Sequence, residues 1–278
     1  MKIDLQLNSG MTLKIDTNPV VGMTYPTARI QKGLILSHEG KELCEEGVGF
    51  GVPILKIGLR TIFPGAVELF PLEGSFTRGM HARFLMNLEE KIIKSGSGTI
   101  NNPILYEIKN ILAALIRRLP SMRPVLTRSS NLLRSRFGWE TIYEPANFST
   151  DLCLTYLVAA ENGRIKVALG EQETIPKEVT EVILMNEQGA NCFDQYQDTD
   201  GNCAYGDEIG CWDQVTAAAG SFINSKHQIS FSLAQVNGAS LYRGRERIGK
   251  RLAWSGFGYS FPPTLDHISY TIEVKRLA

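Results

Sequence analysis

Two stretches near the end of the chain decide the fold class: QISFSLAQV at residues 228–236 and HISYTIEV at residues 267–274. In each stretch apolar residues alternate with polar ones, which is the period of a β-strand with one buried face. The N-terminus repeats this pattern in KIDLQLNSGMTLKID, residues 2–16, where Asn8-Ser9-Gly10 predicts a hairpin turn. Both ends of the chain are therefore expected in antiparallel sheet.

Further strand candidates lie between these ends, and glycine and proline separate them. They are Arg29–Ser37, Val52–Ile57, Ala66–Phe70, Leu152–Ala159, Arg164–Leu169, Val179–Met185, Leu241–Tyr242 and Leu252–Trp254. Strands and helices do not alternate regularly along the chain. The pattern therefore favours mostly antiparallel sheets over a parallel α/β fold.

The middle of the chain has a different apolar period. A four-residue spacing predicts a helix over residues 80–92, with Met80, Phe84, Leu88 and Ile92 on one face. A second helix is expected from Asn102-Pro103, an N-cap followed by a first-turn proline, to a stop before Pro120. These patterns predict a helical insert near residues 77–140.

The expected fold is mainly β: one domain over residues 1–278, formed by a large antiparallel β-sandwich that carries the helical insert. A many-stranded sandwich of this length resembles, in architecture, the supersandwich of the galactose-mutarotase type and of related polysaccharide lyases. No motif accompanies this resemblance, and a fold alone does not define a function.

The charge and apolar content exclude several classes of protein. The 278 residues contain 29 Lys and Arg and 29 Asp and Glu, so a globally basic nucleic-acid binder is not indicated. No apolar run reaches the roughly 18 residues of a membrane-spanning helix. The polar–apolar N-terminus lacks the apolar core of a signal peptide, which predicts a cytoplasmic protein without a membrane partner.

The charges are distributed unevenly. Residues 77–140 contain eleven Lys and Arg against four Glu, whereas residues 144–213 contain fourteen acidic residues against three basic ones. Either the two regions pair with each other within one fold, or the basic region collects an anionic ligand. Arginine suits carboxylate and phosphate groups, and aromatic side chains stack on sugars. The ligand-binding candidates in this region are Arg117, Arg118, Arg123 and Trp139.

A small set of side chains could move a proton or neutralise a carboxylate during catalysis. The catalytic candidates are Arg78, His81, Tyr143 and His267. A further ligand-binding candidate is Glu46, which begins the glycine-rich run Glu46-Gly47-Val48-Gly49-Phe50-Gly51. Pro53 and a strand pattern follow this run, so it predicts a bulge or a close backbone approach, not a nucleotide-binding loop.

The acidic segment at residues 193–213 offers oxygen ligands with a calcium-loop spacing. Asp198, Asp200 and Asn202 are separated by two residues each, and Asp207 could complete the shell. Cys203 occupies the position where an EF-hand loop needs glycine, so an EF-hand is excluded. An irregular calcium site and an exposed acidic turn both remain open. The cysteines in this segment are too widely spaced for a compact zinc knuckle.

Two hypotheses of function follow. In the first, the protein binds or transforms carbohydrates, with anionic small molecules or oligosaccharides as partners and lyase- or epimerase-like chemistry. In the second, it is a non-enzymatic interaction or scaffold module, since no complete catalytic motif is present. An oxygen-ligated metal site is compatible with either hypothesis.

Overall fold

The computed structural model describes residues 1–278 apart from 8–9, 19, 22–28, 45–46, 73–77, 95–110, 112–135, 137, 171–174, 211, 249–250, 266 and 278. The strands are β1 Lys2–Gln6, β2 Met11–Asp16, β3 Val20–Val21, β4 Arg29–Ile30, β5 Ile35–His38, β6 Lys41–Glu42, β7 Gly49–Ile57, β8 Arg60–Leu72, β9 Arg78–Lys94, β10 Trp139–Ala159, β11 Arg164–Leu169, β12 Glu181–Gly189, β13 Gln195–Asp198, β14 Cys203–Tyr205, β15 Asp213–Gln214, β16 Ala219–Asn224, β17 Ile229–Ala234, β18 Ser240–Ile248, β19 Arg251–Phe261 and β20 Ile268–Arg276. Short 3-10 turns lie at Ala160–Asn162 and Gly206–Ile209. Within these ranges, no helix is long and apolar enough to span a membrane.

One antiparallel sheet of fourteen strands dominates the structure. Its strand order is β14-β13-β16-β17-β20-β11-β10-β9-β8-β7-β12-β19-β18-β15. A four-stranded sheet, β1-β2-β5-β6, and the pair β3-β4 complete the described strands. The prediction of a mainly β chain with large antiparallel sheets is confirmed, and β1 pairs with β2 as the predicted N-terminal hairpin.

The helix predicted over residues 80–92 is wrong, because Arg78–Lys94 forms strand β9. β9 pairs with β8 on one side and with β10 on the other. A four-residue spacing is also an even spacing, so it places side chains on one face of a strand as well as on one face of a helix. Met80, Ala82, Phe84 and Met86 are all buried, which is the strand period. Most of the predicted helical insert, including its second helix, lies outside the described residues.

Strands from distant positions of the large sheet contact each other through a buried aromatic cluster. Phe257 of β19 packs edge-on against Phe222 of β16 at 4.8 Å between ring centroids, and it also contacts Phe231 of β17 and Tyr196 of β13. Phe231 in turn contacts Phe50 of β7 at 5.1 Å. Strands that are not neighbours in the sheet therefore share one aromatic core. The finer sandwich and supersandwich descriptions stay predictions.

The glycine-rich run forms a bulge, as its sequence predicts. Gly49 and Gly51 adopt positive φ angles of 87° and 73°, and the register between β7 and β12 shifts by one residue beside them. An added Cβ at Gly51 would lie 2.5 Å from the ring of Tyr156. Only glycine combines this backbone conformation with such a close approach.

The Tyr156 hydroxyl joins β10 to β7 by a buried hydrogen bond. It donates to the carbonyl of Gly51 over 2.7 Å, and its ring is fully buried. We expect Tyr156→Phe to lower the free energy of unfolding by about 1–3 kcal/mol, because the buried carbonyl loses its donor. Urea denaturation measures this change. The exposed Tyr205→Phe variant is the control, and equal effects of the two substitutions would contradict the assignment.

Candidate functional site

Strands β12, β19 and β18 present a second face, opposite to the aromatic core. The register places Glu187 opposite Gly256, and Gly256 opposite Gly244 of β18. Two residues further along these strands, Glu246 of β18 lies opposite Trp254 of β19. Directly opposed residues of antiparallel strands share a face. These side chains therefore belong to one surface, while the alternate residues of β19, such as Phe257, face the core.

Two tryptophans lie over glycines on this surface. The indole rings of Trp212 and Trp254 are 5.0 Å apart between centroids and tilted by 33°. An added Cβ at Gly258 would lie 2.8 Å from Cζ3 of Trp212, and one at Gly244 would lie 3.0 Å from Cη2 of Trp254. Because glycine has no side chain, the indole rings can occupy this space. Trp254 is only 8% exposed, whereas Trp212 is partly exposed.

Trp212 holds an uncommon backbone conformation. Its φ angle is 57°, in the left-handed region that side chains with a Cβ rarely adopt. Such a conformation costs on the order of 1–3 kcal/mol and persists where the surroundings enforce it. Here the ring packs on the apolar cluster of Val52, Ile54, Phe63 and Met185. Strain of this kind is concentrated at functional sites, which makes Trp212 a candidate for ligand contact.

Two glutamates flank the tryptophan pair. The indole Nε1–H of Trp254 donates a hydrogen bond of 3.0 Å to Oε2 of Glu246. Glu187 is buried, and its Oε2 accepts a hydrogen bond of 3.3 Å from the backbone N–H of Val48 in the glycine-rich run. We call the surface formed by Trp212, Trp254, Glu187 and Glu246 the tryptophan–glutamate face.

Burial controls the protonation of Glu187. It raises the pKa of this carboxyl from 4.5 to about 8, because the charged form is separated from water. The Val48 N–H lowers the pKa, the charge of Glu246 raises it, and Lys32 lowers it, each by less than the burial. At neutral pH the Glu187 side chain of the folded protein is therefore mostly protonated.

The predicted catalytic residues do not converge. His81 of β9 places Nδ1 2.9 Å from the hydroxyl of Thr155 in β10, and Arg78 is exposed at the start of β9. Tyr143 lies opposite Glu90 of β9, nine residues from His81, a distance of roughly 30 Å along the strand. His267 is exposed just before β20. The catalytic roles of these four residues stay predictions.

Tyr143 nevertheless lies on the apolar cluster that supports Trp212. Its ring packs edge-on against Phe63 at 4.8 Å, and both Tyr143 and Trp212 pack on the cluster that contains Phe63 and Met185. Of the predicted catalytic residues that the structure describes, Tyr143 is therefore the one associated with the tryptophan–glutamate face.

The acidic segment is organised by Asp198 as a turn. Its Oδ1 accepts hydrogen bonds from the backbone N–H groups of Asp200 and Asn202, and its pKa is lowered by hydrogen bonds from Asn202, against the opposing effect of burial. Asp207 pairs instead with the buried guanidinium of Arg245 at 3.4 Å. Among the described residues, no group of three or more His, Cys, Asp or Glu could hold a metal ion. Calcium binding here stays a prediction.

The remaining ligand-binding predictions concern residues whose side chains the structure does not describe. Arg117, Arg118, Arg123 and Glu46 lie outside the described residues, and Trp139 is described only as the first residue of β10. The segment that contains Glu46 is continuous with Val48, which contacts Glu187.

Sequence reasoning missed all four residues of the tryptophan–glutamate face as site candidates. The available signals were the two glycines that surround Phe257 in the strand pattern of β19, and the isolated Glu246 in the basic run at residues 243–251. A strand with glycine at alternate positions leaves one face empty, and a large side chain from elsewhere can fill that face.

No protein-family model matches the sequence, and no curated protein matches it. Among solved structures, the α-N-acetylgalactosaminidase NagBb from Bifidobacterium bifidum in its Gal-NHAc-DNJ complex aligns with a TM-score of 0.50 and 11% identity, over 99% of this chain and 36% of that chain. Its GalNAc complex aligns with a TM-score of 0.49 and 10% identity over the same shares. The Slr1438 protein from Synechocystis sp. PCC 6803 aligns with a TM-score of 0.42 and 9% identity, over 100% of this chain and 96% of that one.

At these identities the similarity to NagBb shows the fold alone. The chain spans about a third of the length of that enzyme. The conclusion that follows is one of architecture: this mainly β fold also occurs as part of a larger protein that acts on a sugar.

Proposed function

We propose that the protein binds carbohydrate on the tryptophan–glutamate face. The observation that carries this proposal is the pair of indole rings at 5.0 Å, laid over glycines and bordered by two glutamates. An indole ring packs well against the C–H face of a sugar, and carboxyl groups hydrogen-bond the hydroxyls at its edge.

The exposure of the rings divides their roles. Trp212 is partly exposed and would contact the sugar, while Trp254 is buried and packs against Trp212. Glu246 is half-buried, with its carboxylate fixed by the Trp254 indole, so that it can accept hydrogen bonds from hydroxyl groups. A preformed arrangement of this kind lowers the entropy cost of binding.

The fold similarity supports the same class of ligand. The NagBb structure with a TM-score of 0.50 is a complex with Gal-NHAc-DNJ. Because this chain corresponds to about a third of that enzyme, we transfer only the class of ligand, as part of the proposal.

The charges of the face favour a neutral sugar over an anionic one. Glu246 borders the tryptophans, no basic side chain is among the four residues of the face, and an acidic side chain disfavours a sugar carboxylate beside it. An anionic sugar, and with it lyase- or epimerase-like chemistry, depends instead on Arg117, Arg118 and Arg123, and stays a separate prediction for the basic region.

Binding is tested by isothermal titration with galactose, N-acetylgalactosamine, glucose and galacturonate, using the wild type and Trp212→Gly. Glycine suits the positive φ angle of Trp212, so the variant loses the ring without a backbone penalty. We expect a neutral sugar to bind the wild type at least tenfold more tightly than the variant. The control is Phe70→Ala, which removes an exposed aromatic ring from β8.

Three outcomes separate the hypotheses. Equal binding by the wild type and Trp212→Gly would reject the tryptophan–glutamate face as the site. Binding of galacturonate alone would favour the basic region. If none of the four sugars binds, the proposal is rejected and the hypothesis of a non-enzymatic interaction or scaffold module is favoured.

A further inference from the structure

We infer that Asn237 is a site of spontaneous covalent modification, at which the side-chain amide is converted to a carboxyl group as aspartate or isoaspartate. The reacting groups are the side chain of Asn237 and the backbone nitrogen of Gly238, in the turn between β17 and β18. This inference is independent of carbohydrate binding, because it rests on the geometry of that turn alone.

Asn237 and Gly238 are the two central residues of a tight turn. The backbone N–H of Ala239 donates to the carbonyl of Val236 over 3.3 Å, which closes the turn. Gly238 has a φ angle of 82°, a left-handed conformation that glycine adopts without strain. Both central residues are exposed to solvent. The connection between β17 and β18 is therefore an Asn-Gly pair in contact with water.

The reaction needs only these two residues and water. The Gly238 nitrogen gives its proton to hydroxide and bonds to Cγ of Asn237. The bond between Cγ and the amide nitrogen breaks, and that nitrogen takes a proton from water and leaves as ammonia. One water molecule then opens the five-membered succinimide ring at either carbonyl, which gives aspartate or isoaspartate. The sum is one amide and one water converted to one carboxyl group and ammonia.

The structure leaves both reacting groups accessible. Among the described residues, no hydrogen bond engages the N–H of Gly238 or the carboxamide of Asn237. The three atoms nearest to an added Cβ at Gly238 all belong to the flexible side chain of Leu265, so no backbone group crowds this glycine. The attack requires the Asn237 backbone to rotate until the Gly238 nitrogen faces Cγ, and the 3.3 Å hydrogen bond of the turn is a weak restraint on that rotation.

The second Asn-Gly pair of the chain, Asn162-Gly163, is held in place. The N–H of Gly163 donates to the carbonyl of Ala160 over 3.4 Å, and its carbonyl accepts from the N–H of Val274 over 2.8 Å. Oδ1 of Asn162 accepts a hydrogen bond of 3.3 Å from the N–H of Arg164. Gly163 is buried, and an added Cβ would lie 2.2 Å from the carbonyl oxygen of Val274. Rotation here would break contacts with β20, so reaction at Asn162 requires local unfolding.

The Asp-Gly pair Asp200-Gly201, which can form the same ring by loss of water, is also held. The N–H of Gly201 donates to the carbonyl of Asp198 over 3.2 Å, and the N–H of Asp200 donates to Oδ1 of Asp198 over 3.1 Å. Three pairs thus share the required sequence, and the structure distinguishes Asn237 from the other two.

The test is incubation of the folded protein at pH 6.5 and pH 8.5, followed by peptide mapping with mass spectrometry. We expect Asn237 to convert about tenfold faster than Asn162 or more, because the reaction at Asn162 waits for local opening. Conversion should be faster at pH 8.5, since the Gly238 nitrogen must lose a proton. The chain has 29 basic and 29 acidic residues, so each conversion moves its formal net charge from zero to one negative charge, which anion exchange resolves.

Two variants and a denatured sample are the controls. Asn237→Gln keeps an amide but would have to close a larger ring, so it should lack the acidic form, whereas Asn162→Gln should produce it at the wild-type rate. Wild-type protein in guanidinium chloride has lost the contacts of the folded state. The rates at Asn162 and Asn237 should then agree within a few-fold, which separates the effect of the structure from that of the Asn-Gly sequence.

Two results would overturn the inference. One is equal conversion of Asn162 and Asn237 in the folded protein. The other is an Asn237 that stays unmodified in the folded protein, whether or not it reacts in guanidinium chloride. Neither result bears on the proposed carbohydrate binding, which the titration with sugars tests separately.

Discussion

The wild-type protein is expected to lose roughly 3–4 kcal/mol of unfolding free energy between pH 5 and pH 8.5 through the single buried carboxyl of Glu187. Burial raises the pKa of this group from 4.5 to about 8. Between these values the folded protein holds a proton that the unfolded chain releases, so stability falls as the pH rises. The contribution is fully present below pH 4.5 and is lost once the pH exceeds about 8.

Glu187→Gln isolates this effect, because glutamine has nearly the same shape and cannot titrate. Urea denaturation of both proteins at pH 5, 7 and 8.5 measures the free energy of unfolding. This free energy should fall as the pH rises for the wild type and should change less for the variant. Other shifted groups act outside this window. The lowered pKa values of Asp198 and Glu273 affect stability at acid pH, and the raised pKa of Cys44, about 11, acts above pH 9. Parallel curves for the two proteins would show that Glu187 is not buried as described.

Phe257→Ala is expected to lower the free energy of unfolding by about 3–5 kcal/mol, the range for deleting a fully buried aromatic side chain. Phe257 is 0% exposed and contacts rings of β13, β16 and β17 from its own position in β19. Its removal would therefore leave a cavity in the aromatic core that these strands share, and this cavity can collapse only if strands move.

Phe70→Ala is the matched control for this substitution. Phe70 is 47% exposed and packs under the Arg83 guanidinium at 5.4 Å, so its loss should cost no more than about 1 kcal/mol. Phe257→Leu keeps most of the apolar volume, so its loss of unfolding free energy should lie between those of Phe70→Ala and Phe257→Ala. This variant allows the measurement even if Phe257→Ala folds poorly. Similar losses of stability for Phe70→Ala and Phe257→Ala would contradict the burial of Phe257 in the aromatic core.

The local alternation of polar and apolar residues was sufficient to predict most of the strands. Arg164–Leu169 was predicted with the bounds that the structure gives, because a half-buried strand shows its alternation directly in the sequence. β9 was mistaken for a helix because Met80, Phe84 and Leu88 are spaced by four, which suits either element. The pairing of β9 with the 21-residue strand β10 is a long-range contact, and no local pattern reports it.

The candidate site could not be predicted from the sequence, because it too depends on long-range strand pairing. Glu187 and Glu246 are 59 residues apart in the chain, and only the register of β12, β19 and β18 places them on one face. A shift of one residue in either pairing would move a glutamate to the core side. Glu187 also accepts a hydrogen bond from the backbone N–H of Val48, which is 139 residues away in the chain, so no local pattern reports this contact.

The most direct test of the account is a crystal structure of the protein soaked with the neutral sugar that binds most tightly in titration. We predict a sugar ring stacked on the indole of Trp212, with one of its hydroxyls hydrogen-bonded to Glu246. A sugar bound at any other surface, with the tryptophan–glutamate face empty, would contradict the central claim.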